Sequence, residues 1–156
     1  THLDSGRPLV MRRPDSEFSL ANFMRSQIYG AMATMCIGME ILHKENVAID
    51  SLTGHGGLFK TPGVAQRYMA AACKAPVTCM ETAGEGGAWG IALLASYMVN
   101  KKDGETLDQF LADQVFAGSE GLEMQPKAED VAGFDAFIER YKAGLPIERA
   151  AVEALR

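Results

Sequence analysis

Apolar positions recur with a helical period over much of this chain. After a polar start broken at Pro14, Asp15 and Ser16, Leu20, Met24, Ile28, Met32, Met35, Met39 and Leu42 follow one another at spacings of three and four. That pattern predicts one long helix, with Ser19 as its N-cap and His43 near its carboxyl end, where a cation suits the dipole. Such a stripe is the face a helix turns to a core, although methionines also adapt to partners. Gly30 and Gly38 lower helix propensity within it and are expected to let a neighbouring element approach.

The period then changes. Val47, Ile49 and Leu52 predict a short strand, Val47–Thr53, that runs into glycine, and Pro76–Met80 predicts a second. Between them Gly63–Cys73 reads as an alanine-rich helix. After the second strand, Trp89–Met98 reads as an apolar helix buried on most sides. Strands alternating with helices imply an α/β class with the two strands adjacent and parallel. The Leu20–Leu42 stripe and the Trp89–Met98 helix are expected to pack on that sheet. Beyond Met98 lie a polar linker and a short amphipathic helix, Thr106–Gln114. A loop follows over 118–130, then a helix marked by Phe134, Phe137, Ile138 and Tyr141, and a last helix from Ile147 to Leu155. The organisation expected is an extended segment at 1–18, an α/β core at 19–98, and a linker with C-terminal helices at 99–156.

Composition narrows the function classes. The 156 residues are 47% hydrophobic and 22% charged, the balance of a globular domain rather than a disordered or fibrous chain. The net charge of −5 and the lack of a basic stripe argue against nucleic acid as a partner. No apolar run reaches the roughly 18 residues of a membrane span, and the amino end carries no secretory pattern. Cys36, Cys73 and Cys79 form no CxxC motif and are expected to be buried thiols of a cytoplasmic protein.

The glycines carry the candidate chemistry. Gly54, Gly56 and Gly57 follow the first strand, and Gly84, Gly86 and Gly87 follow the second. In parallel sheets, ligands bind beyond the carboxyl ends of the strands, and glycine lets the backbone approach them closely. Each cluster is therefore either a ligand cradle or a bare turn between strand and helix. Neither is a GxGxxG or GxxxxGK[ST] motif. Lys60 is a phosphate contact or a solvated lysine. Glu85 is a general base, a magnesium contact or a charge at a helix start, and Asp50 is similarly open. His55 has no second ligand at metal spacing, so no metal residue is assigned.

The stretch from Gly54 to Met98 resembles the C-terminal half of the FGGY carbohydrate kinases, notably pentulose kinases such as xylulokinase and ribulokinase. The resemblance rests on Gly56 and Gly57, Gln66 in the next helix, Pro76 and Val77, and Glu81 through Ala95. Arg25, Ser26 and Gly30 in the preceding helix add to it, and it covers roughly residues 8–98. It implies a partial ribonuclease-H-like, actin-type ATPase domain with parallel βα units and C-terminal helices. It further implies that Gly56, Gly57 and Thr61 face the adenosine of ATP, with Mg2+ as companion. His55 stands where many members have a third glycine, and Thr61 replaces the asparagine of glycerol kinases.

In that family an N-terminal domain binds the sugar and carries the aspartate that takes the hydroxyl proton. No catalytic residue is therefore assigned here, and the chain alone is expected to be inactive. The expected partners are ATP and a sugar, with a homodimer left open. The alternative reading is a non-catalytic actin-like nucleotide-binding module. A Rossmann enzyme would place an acid about 20 residues past the first glycine turn, and Lys74–Thr78 holds none.

Overall fold

The computed structural model describes residues 6–81, 86–118 and 121–155, the side chain of His43 excepted. The chain divides into two compact units, Thr1–Val47 with Ala128–Arg156, and Ala48–Lys127.

The first unit is a helix pair. Helix α1, Leu20–Lys44, is the long helix expected, and Ser19 Oγ accepts the Asn22 N–H at 3.2 Å as its N-cap. Its partner is the last helix, α5, Ala128–Ala154. One face of α1 buries Tyr29, Met32 and Ala33, and the Tyr29 ring meets Phe134 and Phe137 edge-on at centroid distances of 5.3 and 5.1 Å. The two ends of the expected stripe are not core: Leu20, Met24 and Leu42 are exposed. A Cβ at Gly30 or Gly38 would meet nothing within 4 Å, so these glycines serve no close approach.

Two separate C-terminal helices were expected, but α5 runs unbroken through Pro146. A proline inside a helix removes one N–H and crowds the carbonyl four residues back, at a cost of about 3 kcal/mol. Tertiary contacts hold both halves. Before Pro146, Phe134 and Phe137 pack on each other and on Tyr29, and Tyr141 packs on Phe137. After it, the Arg7 N–H donates to the Glu148 carboxylate, and the Arg7 guanidinium donates to the Leu155 carbonyl through Nε and Nη2 at 3.2 and 2.7 Å.

The second unit is built on a small mixed sheet in the order β1-β2-β3: Leu52–Thr53, Val77–Cys79 and Leu122–Met124. The first two strands are adjacent and parallel, as expected, with Leu52 opposite Val77 and Thr53 opposite Thr78. Strand β1 is shorter than the expected Val47–Thr53. Strand β3 was expected to be loop; it pairs antiparallel with β2, Cys79 opposite Leu122. Gly121 makes this approach possible, since a Cβ there would fall 2.4 Å from Thr78 Cγ2.

Helix α2, Val64–Cys73, packs on β2 and β3. Its buried alanines at 65, 70 and 71 let it lie close to Val77. Helix α3, Gly86–Asn100, departs from expectation: none of its residues is buried, and Ile91, Leu94, Met98 and Val99 are exposed. It packs through Trp89 on Phe116 and Tyr97 on Phe110, with the Tyr97 hydroxyl donating to the Glu105 carbonyl at 2.8 Å. Phe110 closes the short helix α4, Leu107–Phe110, which a Thr106–Gln109 capping box begins. The three cysteines form no disulfide and are half-buried rather than buried.

Candidate functional site

The first glycine turn leaves the sheet at the carboxyl end of β1. Gly54 is still tied to it, its N–H donating to the Thr78 carbonyl at 2.9 Å. The Phe59 ring lies directly on Gly54, where a Cβ would fall 2.3 Å from a ring carbon. Gly54 thus makes room for a side chain of its own turn. The backbone then bends at Gly56, at φ 99° and ψ −178°, a region essentially open to glycine alone. A single 3-10 turn follows over Gly57–Lys60, closed by the Phe59 N–H on the Gly56 carbonyl at 3.0 Å. Thr61 ends it in an extended conformation, on the surface.

The requirement for positive φ falls on Gly56 and not on Gly57. Both glycines face open space, since a Cβ at either would meet no atom of the described residues within 4 Å. The backbone at 56–57 is therefore bare for reasons that packing among the described residues does not supply. Gly56, Gly57 and Thr61 come together as one short segment. Lys60 is on the same turn, with its side chain at the surface.

Two further residues frame the turn. His55 projects onto Gly86, the first residue of α3, so the two glycine-rich segments touch. Cys79 ends β2 beside Gly54; burial raises its thiol pKa, and a hydrogen bond with the Gly54 backbone offsets part of the rise. Gly84 and Glu85 lie outside the described residues. Asp50 is exposed just before β1. Among the described residues, no three His, Cys, Asp or Glu side chains are grouped to hold a metal ion. No helix of the described residues is long and apolar enough to cross a membrane.

The residue whose role was least visible in the sequence is Gln66. Its side chain is 3% exposed inside the unit, and its amide donates to the Val77 carbonyl at 3.3 Å and the Leu122 carbonyl at 2.7 Å. It therefore pins α2 to both β2 and β3, and so fixes the sheet against which the glycine turn is placed. The available signal was a polar residue among buried alanines. An open apolar hollow of about 270 Å³ lined by Phe18, Ser19, Leu20 and Phe23 belongs to the first unit and includes none of these residues.

A strand, a bare glycine turn, a helix, a parallel strand and an apolar helix make up an α/β unit. The C-terminal domain of the FGGY family of carbohydrate kinases matches residues 1–99. The chain belongs to this family, whose members are ATP-dependent phosphotransferases with a sugar-kinase, actin-like fold. The matched stretch contains the glycine turn and α2, β2 and nearly all of α3, and ends before α4, β3 and α5. No curated protein and no solved structure matches the chain.

Proposed function

We propose that the Gly54–Thr61 turn is the adenosine-facing wall of a cytoplasmic sugar kinase that transfers the γ-phosphate of ATP to a pentulose or a related ketose of the xylulokinase type. The observation that carries the reading is the bare backbone at Gly56 and Gly57, at the carboxyl end of a parallel strand, with open space where a side chain would stand. That is where α/β sheets bind nucleotides, and a side chain at either position would occupy the ligand's space. Thr61 presents a hydroxyl at the end of the same turn, and Lys60 a positive charge suited to phosphate.

ATP supplies the transferred phosphoryl group. What this chain contributes is positioning: backbone surface against the nucleoside, and a rigid sheet, pinned by Gln66, beneath it. Mg2+ is expected with the phosphates, where it retains much of its water. The described side chains assemble no carboxylate set for it, and no step is assigned to it here. The ribonuclease-H-like arrangement belongs to the same proposal, as does a sugar-binding part carrying the base outside these residues. On this reading the 156 residues alone release no ADP when given ribulose or xylulose.

Gly57→Val tests the reading. Among the described residues its Cβ meets nothing, and its φ is unstrained, so the variant should fold as the parent does. Its affinity for ATP should fall by about 1–3 kcal/mol, the worth of a few hydrogen bonds and their packing. Calorimetric titration with ATP measures this, with a melting curve beside it. Unchanged ATP affinity in folded Gly57→Val would remove the nucleotide from this turn.

A further inference from the structure

His55 occupies the place that a side chain at Gly86 would take. A Cβ built on Gly86 would fall 2.6 Å from His55 Nδ1 and 2.9 Å from its Cβ and Cγ. Cβ and Cγ are the root of the side chain, so rotating the far end of the ring does not relieve the overlap. The two residues are a matched pair, one supplying volume and the other leaving room for it. They come from different places in the chain. His55 immediately precedes the bend at Gly56, and Gly86 opens α3, whose Trp89 lies one turn further on, against Phe116.

This contact has a mechanical consequence. Three glycines, at 54, 56 and 57, leave the turn with little side-chain bulk of its own. His55 and Phe59 supply it, Phe59 inward over Gly54 and His55 outward over Gly86. A ligand that draws in the backbone at Gly56 must carry the adjoining His55 with it. His55 lies so close to Gly86 that pressing it further toward that residue moves the start of α3.

We propose that His55 is a positioning residue that sets the start of α3 in register with the Gly56–Gly57 turn when ATP is held there. The inference rests on the nucleotide reading of that turn. The imidazole acts by its shape, so a flat ring without nitrogens should serve as well.

The test is an ATP titration followed by 1H–15N spectra of the whole chain. In the parent, the amides of Gly56 and Gly57 should shift together with those of Gly86, Gly87 and Trp89, at one midpoint. In His55→Gly the first group should still shift and the second should stop responding. His55→Phe should restore the joint response. A merely structural role would lower the melting temperature of His55→Gly while leaving Gly86 and Trp89 responsive, and that result overturns the proposal. So does a parent in which Gly57 responds and Gly86 does not. A parent in which neither segment responds refutes the nucleotide reading itself, and this proposal with it. The contact has a ligand-free check. Gly86→Ala should lower the melting temperature, and adding His55→Gly should recover most of the loss. Strictly additive losses in the double variant would show that the two residues do not touch.

Discussion

Gly56 and Gly57 are neighbours with opposite requirements, and alanine at each separates backbone strain from ligand space. At Gly56, φ is 99° with ψ at −178°. Holding a non-glycine residue in such a region costs on the order of 1–3 kcal/mol. The same change removes some freedom from the unfolded chain, worth roughly 0.4–1 kcal/mol in the other direction. Gly56→Ala should therefore destabilise, by up to about 2.6 kcal/mol. At Gly57 there is no positive φ and, among the described residues, no atom within 4 Å of a Cβ. Only the unfolded-state term acts, so Gly57→Ala should be neutral or stabilising by up to about 1 kcal/mol. Trp89 is the single tryptophan and lies in the unit that contains the turn, so its fluorescence during urea unfolding reports on that unit. A chain of two units need not unfold in one step, which makes this local probe preferable to a global melting curve. Equal losses at the two positions would refute the assignment of the strained bend to Gly56. A large loss at Gly57 alone would mean that the turn packs against something within the chain.

Three other perturbations probe the framework of the site. Gln66→Leu removes two hydrogen bonds and leaves their carbonyl acceptors short of a donor, which should cost about 2–4 kcal/mol in the Trp89-monitored transition; a loss below 1 kcal/mol would show that water replaces the amide there. Pro146→Ala restores an N–H to the middle of α5 and should stabilise the helix pair by up to about 3 kcal/mol, read by far-ultraviolet circular dichroism during heating; no gain would mean that the helix has already relaxed around the proline. The Lys142 pKa is raised above its ordinary 10.5, first by its hydrogen bond with Glu40, an ion pair that joins α5 to α1. Its stabilising contribution is therefore complete below pH 10.5 and is lost as pH rises through the raised value. Lys142→Met should flatten that alkaline loss in a series of melting temperatures, and an unchanged slope would assign the loss to other groups.

The sequence pattern located the elements around the turn because each has a strong local cause. Seven apolar residues at helical spacing specify α1, and a run of alanine between glycine and proline specifies α2. Valine and threonine flanked by turn residues mark β2, and the parallel pairing follows from the intervening helix. What it missed depends on contacts made at a distance. Leu122–Met124 has no alternation long enough to read as a strand, and it becomes one because Gln66 and Gly121 bring it to β2. Pro146 signals a break that the Arg7 contacts overrule. Apolar composition predicted a covered α3, but composition does not say which surface provides the cover, and Ile91, Met98 and Val99 are exposed here. At the site itself, glycine spacing pointed to Gly56 and Gly57 together. Only the backbone angles assign the strain to Gly56, whereas both glycines face open space. The pairing of His55 with Gly86 has no local sequence signature, since the two residues lie in different turns.

Photolabelling most directly tests whether ATP lies against the first glycine turn. The intact chain is irradiated with 8-azido-ATP, digested with trypsin, and the labelled peptides are identified by mass spectrometry. The account predicts that label displaced by excess ATP falls in the two peptides 45–60 and 61–67, which span Gly54–Thr61 between the cleavage sites at Lys44, Lys60 and Arg67. ATP-displaceable label confined to peptides of α1 or α5, with 45–60 and 61–67 unmodified, would contradict it.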